Sequence, residues 1–244
     1  MDDERDPGTP PAPPAGGVTP GVDRGDRLHA FRDDAITVTW SRRRCIHVAA
    51  CVFARPDVFQ PGRRPWVDVA QGDPGDVADT VLRCPTGALH YVRTDGGVAE
   101  PAPAANTIVV SRNGPVFVAA DVEVTDESGA VRLVDTRVAL CRCGRTANAP
   151  LCDGAHHAAG FRDAAALGDT SAVDDGDVAA RPGTRLRIEP VAGGPLRVTG
   201  PFTLLGAGTG QAVAGARVKL CRCGRSANKP FCDGSHRAAE AAGG

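Results

Sequence analysis

The sequence predicts a β-rich α+β fold in which one small α+β domain precedes two related β-rich modules. Three observations predict this fold. A 16-residue segment occurs twice at an offset of 80 residues, so the chain carries a duplicated unit. Short alternating apolar segments of β type precede both copies. Aromatic residues make up only 4% of the chain, which favours small domains held by metal centres over one large core.

The first segment of the chain is predicted to be a disordered tail. Residues 1–27 contain 11 Pro or Gly and almost no large apolar side chains, so they cannot bury enough surface to offset their ordering entropy. The acidic start has no apolar stretch of the kind found in secretion signals, and we expect no such signal.

The small α+β domain is predicted at residues 28–93. Residues 35–40 alternate in polarity as a half-buried strand does. Asp73 followed by Pro74 is typical of a helix start, and this helix would run through Leu82 and deliver Cys84. Residues 94–105 are predicted to form a Gly-, Pro- and Ala-rich loop.

The two repeated modules are predicted at residues 106–163 and 184–240. An Ala-, Asp- and Gly-rich linker with at most one weak helix joins them at residues 164–183. The predicted strands are residues 107–110, 116–118 and 131–134 in the first module, and 186–188, 196–198 and 202–205 in the second.

Composition and charge narrow the class of protein. The net charge of -1 gives no reason to propose nucleic acid or a membrane surface as a partner. No run of 18 or more apolar residues occurs, so we expect no membrane span. Nine cysteines without a secretion signal argue against a disulfide framework and for thiols used as ligands. The expectation is a cytoplasmic metalloprotein.

The duplicated segments each combine three thiols with one imidazole. They read Cys141-Arg-Cys-Gly-Arg-Thr-Ala-Asn-Ala-Pro-Leu-Cys-Asp-Gly-Ala-His156 and Cys221-Arg-Cys-Gly-Arg-Ser-Ala-Asn-Lys-Pro-Phe-Cys-Asp-Gly-Ser-His236, and 12 of the 16 positions are identical. Cys-x-Cys places two thiolates on one turn, able to hold one metal atom, and the later Cys and His would face a second atom. The candidate ligands are Cys141, Cys143, Cys152 and His156, and likewise Cys221, Cys223, Cys232 and His236.

Residues beside these ligands are expected to compensate the negative charge of the metal site. Asp153 is placed to cap a short helix with His156 in its first turn, so that backbone N–H groups would point toward the metal. The negative charge of a two-iron cluster would be offset by four arginines, Arg142, Arg145, Arg222 and Arg225. His157 is expected to be solvated and not a ligand.

Both segments resemble the CDGSH iron–sulfur family, also called NEET proteins. Its motif is Cys-x-Cys-x2-Ser/Thr-x3-Pro-x-Cys-Asp-Gly-Ser/Ala/Thr-His, and both copies satisfy every fixed position. The resemblance implies a [2Fe–2S] cluster on each ligand set named above, beneath a β-sheet cap. Many members dimerise to pair two such sites, so two copies in one chain imply the same pairing made internally and a monomer. The alternative is a structural zinc ion, since three Cys and one His also suit tetrahedral zinc, although zinc knuckles usually separate the first two cysteines by two to four residues.

A second constellation lies in the small domain. Cys45-Ile-His-Val-Ala-Ala-Cys51 and the later Cys84-Pro85 follow the bacterial ferredoxin pattern Cys-x2-Cys-x2-Cys with a distant Cys-Pro. The segments Pro56-Asp-Val-Phe59, Arg64-Pro-Trp-Val67 and Cys84-Pro-Thr-Gly-Ala-Leu89 resemble the divergent single-cluster ferredoxin family, including its [3Fe–4S] members, over about residues 28–92. The middle cysteine of the ferredoxin run is replaced by Val48. Three thiolates suffice for a [3Fe–4S] cluster, whereas a [4Fe–4S] cluster needs a fourth ligand, for which His47 is the candidate. The alternative is a ferredoxin-like relic with buried cysteines. The run of Arg42 to Arg44 would balance cluster charge, dock an acidic partner or form a solvated turn.

These patterns predict an electron-transfer protein with up to three iron–sulfur centres and no enzymatic activity of its own. An imidazole ligand raises a cluster's potential and must be unprotonated, so mild acid competes for it. The runner-up is a donor of labile clusters or a redox or iron sensor, and a zinc-stabilised interaction module ranks third. The expected partner is a redox protein or an apo iron–sulfur acceptor protein.

Overall fold

The computed structural model describes residues 23, 26–176 and 184–241. The predicted tail lies largely outside these residues, as does the end of the predicted linker. The predicted β-rich α+β fold is confirmed: a small sheet with helices precedes a larger sheet region built by the two repeated modules. Within the described residues, no helix is long and apolar enough to cross a membrane.

The first domain is a three-stranded antiparallel sheet covered by helices. Its strands are β1 (Leu28–Arg32), β2 (Ile36–Ser41) and β3 (Leu89–Arg93), with β2 in the centre. Its helices are α1 (Ala50–Ala54) and α2 (Pro74–Leu82). The predicted start of α2 is confirmed, because the Asp73 carboxylate accepts a hydrogen bond from the Gly75 N–H at 2.8 Å. A core that includes Val38, Phe59, Val77 and Val81 holds the helices on the sheet.

The two repeated modules form one six-stranded sheet. Its strands are β4 (Thr107–Val110), β5 (Val116–Thr125), β6 (Val131–Leu140), β7 (Leu186–Pro190), β8 (Leu196–Gly206) and β9 (Ala212–Leu220). Strand β4 pairs antiparallel with β5 and parallel with β8, and β7 pairs antiparallel with β8 and parallel with β5. Hairpin partners β6 and β9 lie on the outer sides of β5 and β8. The first strand of each module therefore pairs with strands of both modules, and both modules share one apolar core.

The described part of the predicted linker packs on the sheet. Ala165 and Leu167 are buried in the shared core. The expected weak helix is a single 3-10 turn at Thr170–Ala172. Asp174 then forms a β-bridge with Arg217 of β9. These contacts fix residues 164–176 along the second module.

A buried ionic cluster joins the first domain to the first repeated module. Arg44 contacts Asp135 of β6 at 2.6 Å, and His90 lies 3.2 Å from the same carboxylate and 2.8 Å from Glu100. Arg137 of β6 contacts Glu100 at 2.7 Å. Burial alone would lower the pKa of His90, but the two carboxylates raise it to about 9. Since removing one member leaves a buried charge unpaired, this cluster fixes how the two units dock.

Candidate metal centres

The first repeated module brings its four candidate ligands together as two pairs. The Sγ atoms of Cys141 and Cys143 lie 3.6 Å apart, and Cys152 Sγ lies 3.5 Å from His156 Nδ1. The pairs are brought close by the backbone at the end of β6: Cys152 N–H donates to Ala139 O at 2.8 Å. Two pairs of this kind suit two metal atoms, each held by one pair.

The fixed polar residues of the motif fold the ligand loop. Thr146 Oγ1 donates to Leu151 O at 2.7 Å and accepts from Asn148 N–H at 3.0 Å. The Asp153 carboxylate accepts from the N–H groups of Ala147 and Ala155, at 2.7 and 3.0 Å. These bonds satisfy loop amides that have no partner in a strand, so they stabilise the loop conformation that holds the ligands together.

The second repeated module has the same ligand geometry, but its second ligand pair is less buried. The Sγ atoms of Cys221 and Cys223 lie 3.7 Å apart, and Cys232 Sγ lies 3.4 Å from His236 Nδ1. Ser226 and Asp233 repeat the loop hydrogen bonds of the first copy. However, Cys152 and His156 are buried, whereas Cys232 and His236 are only half-buried.

The predicted short helix behind the histidine is wrong for the first module. Residues 154–160 form turns there, and Gly160 adopts a left-handed φ of 58° that ends any helical course. In the second module a helix, α3 (His236–Ala241), begins at the histidine itself. Asp153 therefore closes a turn and does not cap a helix, so the expected helix end does not face the first site.

Two of the four arginines expected to offset cluster charge are engaged elsewhere. Arg142 donates to Gly114 O and Ser111 O and pairs with Asp163 at 2.9 Å. Arg222 repeats the two backbone contacts and pairs with Glu127 at 2.7 Å. These two side chains brace the sheet loops. The other two, Arg145 and Arg225, line the space between the two sites.

The two ligand loops meet face to face. A Cβ atom on Gly144 would lie 2.9 Å from Cys223 O, and one on Gly224 would lie 3.2 Å from Cys143 O. A cavity of about 430 Å³ opens at this contact; it is lined by Cys143, Arg145, Phe161, Cys223, Arg225 and His236, among others. The two sites are thus neighbours within one chain.

Burial is the largest cause of the pKa shifts of four ligands, Cys143, Cys152, His156 and Cys223. Burial raises the pKa of Cys152 to about 12 and raises those of Cys143 and Cys223. It lowers the pKa of His156, helped by the neighbouring ring of His157, whose centroid lies 4.1 Å away. The imidazole is therefore neutral at pH 7, as a ligand must be, and metal binding must expel the thiol protons.

The donor set fits a two-metal cluster better than a single ion. Among the described residues, no three His, Cys, Asp or Glu side chains converge on one metal-ion position. A mononuclear tetrahedral zinc ion needs such convergence. Two facing pairs of donors fit a [2Fe–2S] cluster, in which each iron takes two protein ligands.

The first domain gathers its three cysteines around one small cavity. Cys45, Cys51 and Cys84 line it together with Trp40 and Trp66. The loop between the first two cysteines contains two left-handed residues, His47 at φ 58° and Ala49 at φ 63°. Such conformations cost about 1–3 kcal/mol each in non-glycine residues, and they cluster where a loop is held for function.

The surroundings of this cavity fit an electron-rich cluster. Burial, and then the nearby Cys84, raise the pKa of Cys51 to about 11. Burial also opposes ionisation of Cys84, but hydrogen bonds from Thr86 outweigh it and lower the pKa of Cys84. The indole N–H groups of Trp40 and Trp66 are buried without a hydrogen-bond partner. Because both Trp side chains line the cavity, these unpartnered donors are candidates for the hydrogen bonds that sulfur clusters accept.

The remaining residues that the sequence analysis named in the first domain lie at the cavity, at the surface and in the buried ionic cluster. His47 lines the cavity and is exposed, and Val48, at the missing cysteine position, is 45% exposed. Arg42 is exposed, and Arg43 donates to Asn148 Oδ1 at 2.9 Å. Arg44 is buried in the ionic cluster, so the three arginines do not form one solvated or cluster-facing turn.

Comparison with protein families agrees with this geometry. A family model described as an iron-binding zinc finger of CDGSH type matches residues 113–157 and again residues 193–237. A family model described as a divergent 4Fe-4S mono-cluster matches residues 31–94. No curated protein and no solved structure matches the chain.

Proposed function

Because the chain carries two CDGSH iron-binding domains and one divergent 4Fe-4S mono-cluster domain, we propose that it transfers single electrons between partner proteins. In this proposal the two CDGSH sites hold [2Fe–2S] clusters and the first domain holds a [3Fe–4S] or [4Fe–4S] cluster. Both family models describe metal-binding domains and neither describes a catalytic one. All nine cysteines are free, which fits a reducing cytoplasm.

The single observation that supports the proposal best is the contact between the two CDGSH ligand loops. Gly144 packs on the backbone of Cys223, and Gly224 packs on that of Cys143. Electron transfer weakens steeply with distance, so two redox sites in backbone contact suit exchange between them. Strands β4 and β7 each pair with strands of both modules and so join the modules inside one chain, and we therefore propose a monomer.

The residues of the chain have separate roles in this proposal. The ligand pairs, Cys141 with Cys143 and Cys152 with His156, would hold one iron each. When bound, such a cluster supplies a one-electron redox couple, and the imidazole raises its potential relative to an all-thiolate site. Burial of Cys152 and His156 shields this ligand pair of the first site from bulk water. In the first domain, Cys45, Cys51 and Cys84 would hold the third cluster.

Metal and sulfide analysis with EPR on anaerobically purified protein tests the proposal. We expect iron and sulfide for two [2Fe–2S] clusters plus a third cluster, and stoichiometric reduction with all iron retained. A colourless protein that binds only zinc would contradict it, as would a protein whose clusters cannot be reduced.

A second function, donation of labile clusters, is favoured by the exposure of the second CDGSH site. Cys232 and His236 are half-buried, while their counterparts in the first site are buried. An apo iron–sulfur protein would then be the partner. Rapid movement of iron and sulfide to an apo-ferredoxin, faster than loss to solution, would favour the donor over the carrier.

A further inference from the structure

Among the residues that the structure describes, the first domain docks on only one of the two CDGSH modules, and it does so directly behind a ligand. Ile46, which follows the ligand Cys45, is buried in one apolar cluster with Ala139 and Cys152. A Cβ atom on Gly154 would lie 3.9 Å from the Ile46 Cβ. One residue adjoining the first-domain cysteines therefore packs against the Cys152–Gly154 segment of the first CDGSH site.

Polar contacts hold the same face in register. Arg43 Nη2 donates to Asn148 Oδ1 at 2.9 Å, and Asn148 Nδ2 donates back to Arg43 O at 3.2 Å. Arg137 donates to Cys84 O at 2.9 Å and to Val81 O at 2.7 Å. Together with the buried Arg44–Asp135 pair, these bonds fix the orientation of the first domain on the first CDGSH module.

The second CDGSH module cannot accept the same docking, and the repeat shows why. Asp135 and Ala139 in β6 correspond to Gly215 and Lys219 in β9. Lys219 is exposed, and it stands where Ala139 meets Ile46 in the first module. Asn228, the counterpart of Asn148, instead accepts a hydrogen bond from Asp169 N–H at 2.6 Å. The linker thus covers on the second module the position that the first domain covers on the first.

We propose that the first CDGSH site is the middle of a fixed row of three sites, and that Ile46 is the positioning residue that joins it to the first-domain site. On one side Ile46 packs toward Cys152, and on the other side Gly144 packs on Cys223. The row passes one electron at a time between a reduced one-electron donor, such as a flavoprotein, and an oxidised one-electron acceptor protein, and the chain ends unchanged. This inference rests on the proposed electron-transfer function.

Two site-deletion variants test the order by EPR. Cys141→Ser with Cys143→Ser removes the first CDGSH site, and Cys221→Ser with Cys223→Ser removes the second. We expect the spin relaxation of the reduced first-domain cluster to be enhanced several-fold by the first CDGSH cluster and only weakly by the second. Equal enhancement by both, or a stronger effect of the second, overturns the row.

Two reciprocal substitutions test the docking face itself. Ala139→Lys places the side chain of the second module where Ile46 packs, and Lys219→Ala is the matched control on the second module. We expect Ala139→Lys to abolish the relaxation enhancement and to speed amide exchange in residues 45–51, with iron retained, while Lys219→Ala changes neither. Unchanged exchange in Ala139→Lys overturns the inference, and this result does not depend on reduction of any cluster.

The metal content separates this inference from the proposed function. If the protein contained only the iron of the two CDGSH sites, the row of three sites would be wrong, but the proposed electron-carrier function would still hold. If the clusters could not be reduced, the electron-carrier function itself would be wrong.

Discussion

Gly144 lies against the backbone of Cys223, so that a Cβ atom at this position would come within 2.9 Å of the Cys223 carbonyl oxygen. The reciprocal contact places Gly224 against Cys143. These two glycines bring the ligand loops of the two modules together. Each is also in the left-handed region, at φ 72° and 76°, where glycine is favoured.

Gly144→Ala is expected to weaken metal binding at the CDGSH sites, in addition to the loss of stability that a left-handed alanine causes. A left-handed alanine costs about 1–2 kcal/mol at any such position. Gly210→Ala is a matched control, because Gly210 has φ 71° and nothing lies within 4 Å of its added Cβ. We expect both variants to lower the melting temperature, and Gly144→Ala alone to lose iron from the CDGSH sites. Equal iron content in the two variants would show that the contact between the loops does not matter for metal binding.

Asp135→Asn is expected to loosen the docking of the first domain. It leaves Arg44 without its carboxylate partner in a buried site, a change that typically costs about 3–5 kcal/mol. The control is Asp174→Asn, since Asp174 pairs with Arg217 on the surface and such pairs contribute about 0–1 kcal/mol. Urea unfolding of both variants measures the difference. A loss for Asp135→Asn no larger than for the control would mean that the ionic cluster does not stabilise the junction.

The same cluster predicts a pH dependence of stability. The pKa of His90 is raised from 6.5 to about 9, because Asp135 and Glu100 face its ring and outweigh both burial and the nearby Arg137. Protonated His90 thus stabilises the folded state fully below about pH 6.5, and this contribution disappears as the pH rises through about 9. We expect the free energy of unfolding to fall over this range in the parent and to fall less in His90→Gln. Parallel pH profiles for the two proteins would refute the role of His90.

The ligand pairs could be predicted from the sequence because they depend on local geometry. Cys141 and Cys143 share one turn, and Thr146 and Asp153 fold the loop through bonds within a few residues. The start of α2 could be predicted for the same reason, because the Asp73 carboxylate accepts a hydrogen bond from Gly75 N–H only two residues away. The pairing of β4 with strands of both modules was not predicted, since the apolar run at residues 107–110 does not specify which strand lies on either side of it.

The docking of the first domain escaped sequence reasoning for a different reason. Asp135 and Arg137 lie in a strand whose polar residues look like a solvated face, and Arg44 looks like part of a basic turn. Only the fold buries all three together. One signal was present: aligned copies differ in polarity at Asp135 against Gly215 and at Ala139 against Lys219. Differences between repeats mark where one copy meets something that the other does not.

The two CDGSH sites are expected to differ in how fast they lose metal. Histidine must be unprotonated to hold iron, so acid and chelators attack the site whose imidazole water reaches first. His156 is 6% exposed, while His236 is half-buried. On lowering the pH from about 8 to about 6 in the presence of a chelator, we expect visible absorption to decay in two phases, with the second site in the fast phase.

Single ligand replacements assign the phases. A thiolate in place of the second imidazole, in His236→Cys, should remove the fast phase, whereas His156→Cys should leave it and slow only the other. Cys232 is half-buried too, so solvent also reaches the second site at this thiolate. If His236→Cys only slowed the fast phase of absorption loss, the second site would still lose its metal before the first. If His156→Cys abolished the fast phase, or if both variants lost colour at the rate of the parent, burial would not control which cluster leaves.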